Sequence, residues 1–286
     1  MNKEKFEVFL SESILQRSSY EAPVIDAMRY SLLAGGKRIR PALMVAAYRL
    51  FQDQEEVVYP YAAALEMIHT YSLIHDDLPA MDDDDLRRGR PSCHIAHGEA
   101  NAILAGDGLL NQAIELVIEA GLSAEDAKIV LRAAHSLFTA SGIQGMIGGQ
   151  SADLLFEGKE ADENDLIFIH QKKTASLIRT ALEVGGIVGG ASEEECETLK
   201  SLGEVIGYAF QLQDDLLDVF STEEELGKPI GSDDKNEKLT FLKVYGVERT
   251  RETIQELFKQ ADKLLSSFAN HQELQTIVKE LLNRRC

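Results

Sequence analysis

Tryptophan is absent, cysteine and proline are scarce, and basic residues are outnumbered. Cys93, Cys196 and Cys286 are odd in number and far apart, so they offer neither a disulfide framework nor a Cys-x-x-Cys metal pair; free thiols in a reducing compartment are expected. Six prolines in 286 residues leave long stretches able to be helical. Against 48 acidic residues stand 29 basic ones, for a formal charge of −19. Such a surface repels nucleic acid and anionic lipid, so neither is an expected partner. It equally repels a phosphorylated ligand unless the site carries its own cations. No run of about eighteen apolar residues occurs, so no membrane span is expected. The opening MNKEKFEVFLSES lacks the apolar core of a signal peptide, and Cys286 stands last rather than fourth from the end, so it is no prenylation site. The expected location is the cytoplasm, without stable membrane association.

What is present is helical periodicity. Segments 41–51, 61–77, 99–121, 123–142, 166–186 and 194–220 repeat apolar residues at three- and four-residue intervals. Convincing strand alternation is missing. Pro41 sits in a first helical turn, and Ser123, three residues before Asp126, reads as a helix start. No linker or compositional break divides the chain, so one all-α domain over residues 1–286 is expected.

Two aspartate motifs stand out, HDDLPAMDDDDLRRG (75–89) and QLQDDLLD (211–218). In the second, Gln211, Asp214, Asp215 and Asp218 fall within about a 100° arc of one helix face. Like charges on one face of a largely apolar helix are costly unless a cation sits among them. An exposed acidic face is the alternative. Oxygen-only ligands suit Mg²⁺, with Mn²⁺ as a substitute, and not Zn²⁺. In the first motif Asp76 and Asp77 end a helical run and Pro79 bends or terminates it. On an ideal helix Asp82 would lie about 120° from Asp76, so the bend must bring it back. An EF-hand is rejected, because its loop glycine and terminal glutamate are not in place. Asp83 to Asp85 have no assigned role beyond solvated surface.

A third cluster, GGKRIRP (35–41), combines glycines that admit a ligand with Lys37, Arg38, Arg40 and a helix start, which is anion-binding chemistry. Together the clusters resolve the charge conflict. Carboxylates holding Mg²⁺ bind one diphosphate through metal, and the basic segment binds a second directly.

With LLAGGKRIRP (32–41), the two aspartate motifs, GMIGGQSADL (145–154), HQKKTASLI (170–178) and LGKPIGSDDKNEK (226–238) in order, the chain resembles the short-chain trans-prenyl diphosphate synthases of the bacterial farnesyl type. It departs from them in LTFL after Lys238 and in KTASLI for the commoner KTGALI. The resemblance implies an antiparallel helix bundle around a deep central cavity, a homodimer, and isoprenoid diphosphate substrates. It implies that Asp76, Asp77, Asp82 and Asp214 coordinate three Mg²⁺ ions, with Asp215 and Asp218 as ligands or their support. Arg87, Lys173, Thr174, Gln211, Lys228 and Lys238 would contact the allylic diphosphate or its metals. Gly36, Lys37, Arg40, His69 and Arg88 would hold isopentenyl diphosphate, with Phe210 on its carbon chain. His94 and His97 read as structural.

The implied reaction ionises the allylic C–O bond and adds the double bond of isopentenyl diphosphate, giving farnesyl diphosphate and pyrophosphate. Tyr71 and Ser72, roughly 6–7.5 Å down the helix from Asp76, would set product length, with Tyr71 as the stop. Geranyl or geranylgeranyl diphosphate is the alternative product. A class I terpene cyclase needs one diphosphate site and a different second motif. A non-catalytic subunit would have lost aspartates.

Overall fold

The computed structural model describes residues 1–14, 20–157, 159, 162–220 and 241–282, and of Asp218, Phe220 and Lys243 the backbone only. Among the described residues the fold is all-α apart from one tiny hairpin. The helices are α1 (Lys3–Glu12), α2 (Ala22–Leu32), α3 (Ile39–Tyr48), α4 (Tyr59–Asp76), α5 (Cys93–His97), α6 (Glu99–Leu122) and α7 (Ala127–Ser141). They continue with α8 (Met146–Phe156), α9 (Glu163–His170), a π-helical segment (Gln171–Ala175), α10 (Ser176–Gly189), α11 (Glu193–Phe220), α12 (Phe241–Leu265) and α13 (Gln272–Leu282). The hairpin pairs β1 (Leu86–Arg87) with β2 (Arg90–Pro91) in antiparallel register.

Helix α4 is apolar almost all round, and residues 61–68 are all buried. A helix with that composition must lie inside. It packs on α6 and α3, while α10 packs on α3, α7 and α11. One apolar core runs from Phe6 and Leu10 of α1 to Leu281 and Leu282 of α13. No helix among the described residues is long and apolar enough to cross a membrane.

Three expectations change. Helix α7 starts later than Ser123: the Asp126 carboxylate accepts from the Lys128 N–H at 2.8 Å, while the Ser123 hydroxyl donates to the Ala120 carbonyl at the end of α6. The periodic stretch 166–186 is not one helix; α9 passes through the π segment into α10. The hairpin at 86–91 escapes a search for alternation because two-residue strands carry no period. Helices α1, α2, α8, α12 and α13 lie outside the segments singled out by spacing, and α12 is kinked at Gly246, whose φ is 74°.

Candidate active site

Helix α4 delivers the first motif. It ends at Asp76, and the chain then turns back on itself: the N–H of Asp82 donates to the Asp76 carbonyl at 2.9 Å, and that of Asp84 to the Asp77 carbonyl at 3.2 Å. The turn passes through Asp83 at φ 51°, and it supplies the bend that Asp82 required. Asp77 is 2% exposed. Arg87 Nε donates to its Oδ1 at 2.8 Å, Arg87 Nη2 reaches the same oxygen, and Nη2 also meets Asp84 Oδ2 at 3.0 Å. Asp84 is therefore an Arg87 partner, not idle surface. Burial outweighs the pull of Arg87 and, with Asp84 and Asp76 nearby, pushes the Asp77 carboxyl up to about 6.

The hairpin sends the next arginine elsewhere. Arg88 and Gly89 have φ of 55° and 72°, the positive pair that a two-residue primed turn demands. Arg88 Nη1 donates to the Gly35 carbonyl. Gly36 sits at φ 126°, a backbone conformation that calls for glycine, and a Cβ there would lie 2.9 Å from Arg88 Nη1 and displace that guanidinium. Arg40 Nη1 lies 3.2 Å from His69 Nε2. Burial, then the Arg40 and Arg88 charges, hold the His69 imidazole well below its ordinary pKa, so it is neutral and accepts from Arg40. Gly36, Lys37, Arg40, His69 and Arg88 thus gather around one loop, with Lys37 exposed. Arg38 does not join them. It is 2% exposed, and donates to Glu7 Oε1 at 2.8 Å, Glu66 Oε1 at 2.7 Å and the Leu32 carbonyl. Its charge is consumed inside the fold, a correction to its reading as an anion ligand.

The second motif lies on α11. Asp214 is half-buried and Asp215 is 3% exposed. Gln211 Nε2 donates to Asp215 Oδ1 at 3.0 Å, and the Phe241 N–H donates to Asp215 Oδ2 at 2.9 Å. Asp215 thereby caps the start of α12. Thr174 Oγ1 donates to Gln211 Oε1 at 3.0 Å. From the same π segment Lys173 Nζ reaches Asp153 Oδ2 at 2.7 Å and Asp76 Oδ2 at 3.6 Å. The π segment therefore links both aspartate motifs, as such bulges often do at functional sites. Asp153 was missed; its signal was a single acid within GMIGGQSADL. Phe210 is buried on α11. The Asp218 side chain, Lys228 and Lys238 lie outside the described residues.

Tyr71 is 5% exposed, its hydroxyl has no hydrogen-bond partner among the described residues, and burial pushes its phenol up to about 12. Its ring meets His75 edge-on at 5.9 Å. Ser72 spends its hydroxyl on the His69 carbonyl at 2.8 Å. His94 is buried and shares a hydrogen bond with Ser92.

Among the described residues no three His, Cys, Asp or Glu side chains are gathered closely enough to hold a metal. The donor set nevertheless fits a hard divalent cation, being all carboxylate oxygen. Burial first, then the neighbouring Asp84 and Asp76 charges, makes an ionised Asp77 costly, and a bound cation would relieve that cost.

The polyprenyl synthetase family model matches residues 21–281. The farnesyl diphosphate synthase of Bacillus subtilis (strain 168) is 42% identical over 248 residues, 87% of this chain and 84% of the relative. The chloroplastic heterodimeric geranylgeranyl pyrophosphate synthase large subunit 1 of Arabidopsis thaliana is 47% identical over 245 residues, 84% of this chain and 66% of the relative. The structure of geranyltransferase from Helicobacter pylori complexed with magnesium and isoprenyl diphosphate matches with a TM-score of 0.87 at 35% identity, covering 98% of this chain and 94% of that one.

Proposed function

The chain belongs to the polyprenyl synthetase family, and on that premise we propose that it condenses isopentenyl diphosphate with dimethylallyl or geranyl diphosphate to give farnesyl diphosphate and pyrophosphate. One observation carries the reading: consecutive arginines of a single turn face two different anion environments, Arg87 the first aspartate motif and Arg88 the Gly35–Gly36 loop. A reaction between two diphosphates needs such a divided site, and a cyclase acting on one does not.

Asp76, Asp77, Asp82 and Asp214 would hold Mg²⁺, with Asp215 and Asp218 as ligands or support; the magnesium in the Helicobacter pylori structure supports this, as does the donor chemistry. When bound, the metal supplies Lewis-acid stabilisation of the departing diphosphate. Arg87 and Lys173 add positive charge against that leaving group. Thr174 and Gln211 orient its end of the site. Gly36, Lys37, Arg40 and Arg88 hold isopentenyl diphosphate, and neutral His69 keeps Arg40 in place by accepting its N–H. As the allylic C–O bond breaks, the double bond of isopentenyl diphosphate attacks the allylic carbon, and the proton then lost passes to the released pyrophosphate. No side-chain nucleophile takes part. Positioning two reactants contributes up to about 7–11 kcal/mol in well-oriented cases.

Buried Tyr71, one turn below Asp76, supports farnesyl as the product; the similarity to geranylgeranyl pyrophosphate synthases keeps a longer product as the second reading. The continuous core supports one domain over 1–286. Exposed Ile103, Leu104, Ile118 and Leu122 along α6 support a homodimer. The test is incorporation of radiolabelled isopentenyl diphosphate with and without Mg²⁺, followed by chromatography of the dephosphorylated products. Magnesium-dependent farnesol is expected; no incorporation with either allylic starter overturns the reading.

A further inference from the structure

Arg87 and Arg88 are adjacent, yet the proposed reaction sets them on different diphosphates, so the hairpin carrying them must be held at a fixed attitude. It has little with which to hold itself. β1 and β2 contribute two residues each, and a lone two-stranded ribbon is marginal in water. Its register adds a hazard. Arg87 pairs directly with Arg90, and directly paired residues share a face, so two like charges stand side by side next to the Arg87 partner Asp77 in one cleft.

Tyr30, near the end of α2, answers both problems. Its hydroxyl donates to the Pro91 carbonyl at 2.8 Å. The Arg90 guanidinium lies over its ring at 4.4 Å from the centroid, a cation–π contact. The His97 ring of α5 meets it edge-on at 4.9 Å, so Tyr30 grips both β2 and the helix that follows. Tyr30, Asp77, Arg87, Arg88 and Arg90 line one cleft. We infer that Tyr30 is a positioning residue for the condensation. It ties the hairpin to α2 and keeps Arg90 on its ring, which leaves Asp77 and Asp84 to Arg87 and lets Arg88 reach the Gly35–Gly36 loop. Tyr30 itself touches no reacting atom, and the inference rests on the two-diphosphate reading above.

The test compares Tyr30→Phe, Tyr30→Leu and Tyr30→Leu with Arg90→Ala in the full chain. It reads the KM for each diphosphate, kcat, Tm, and calorimetric binding of isopentenyl diphosphate without metal. Tyr30→Leu is expected to raise both KM values together by roughly tenfold, the equivalent of about 1.4 kcal/mol. Its kcat should change less, its Tm should stay near wild type, and metal-free binding should weaken in parallel. Tyr30→Phe keeps the ring and loses one hydrogen bond, so both values should rise by about threefold. Adding Arg90→Ala should recover the allylic KM and leave that for isopentenyl diphosphate raised. Unchanged KM values in both Tyr30 variants overturn the inference, as does an allylic loss that Arg90→Ala does not relieve. Should Tyr30→Leu fail to fold, Tyr30→Phe decides alone: a parallel rise of both KM values supports the inference, and unchanged values overturn it. If the wild-type chain binds isopentenyl diphosphate but forms no product, the proposed reaction fails, and the calorimetric comparison still decides the role of Tyr30.

Discussion

Lys37 and Arg38 are neighbours of like charge in unlike surroundings: Lys37 is exposed, and Arg38 is shared between Glu7 and Glu66 inside the fold. Asp214 and Asp215 divide in the same way, one half-buried and the other bound to Gln211 and the start of α12. In these two pairs, the partners each side chain already holds, and not its residue type, separate a ligand candidate from a structural group. Tyr71 shows the same rule for a neutral side chain. Its buried hydroxyl has no partner among the described residues, so Tyr71→Phe should leave urea stability equal or higher and product length unchanged. Tyr71→Ala should cost about 3 kcal/mol of stability through the cavity it leaves. It should also lengthen the product beyond farnesyl; an unchanged chromatogram from a folded Tyr71→Ala would remove Tyr71 as the stop.

At the scale of elements, α9, the π segment, α11 and α12 join where Lys173 reaches Asp76 and Thr174 reaches Gln211. His170 ends α9 and stacks on Phe241, the first residue of α12, at 5.1 Å. Burial pushes its imidazole down to about 4 from an ordinary 6.5. The folded state therefore binds fewer protons than the unfolded one between those values. The associated stability is complete above pH 6.5 and is lost as the pH falls toward 4, by about 3 kcal/mol at full extent. Urea denaturation at pH 7 and near pH 4.5 checks this. His170→Phe, which cannot protonate, should lose less stability over that interval than the wild-type chain; equal losses would show that His170 does not drive the acid sensitivity. The hairpin belongs to this scale too, since its two arginines are distributed by turn geometry that only Gly89 and a strained Arg88 permit.

For the whole molecule, the −19 charge and the exposed apolar residues of α6 pull in opposite directions. Two copies brought together repel through their net charge, and burial of the exposed apolar residues at the two ends of α6 offsets that. Leu104→Asp with Ile118→Asp should therefore shift the chain from dimer to monomer in light scattering coupled to size exclusion. A wild-type monomer, or a dimer that survives both substitutions, would exclude this face.

Several features needed no coordinates. The 3.6-residue period marked α3, α4, α6, α7, α10 and α11 because helices with a buried side repeat their apolar face over several turns. The aspartate motifs and GGKRIRP were legible because uncompensated charge in apolar company demands a ligand. Other features are set by contacts between residues distant in sequence. The Glu7–Arg38–Glu66 cluster ties α1 and α4 to the residue before α3, Asp153 meets Lys173 across twenty positions, and Tyr30 reaches Pro91 from sixty-one residues away. Local sequence pattern carries no distance between such groups. The sequence by itself therefore determined the all-α class and the chemical kinds gathered for a two-diphosphate site. The tertiary structure alone decided which of two adjacent charges faces that site, because solvent exposure is set by the packing of the whole chain.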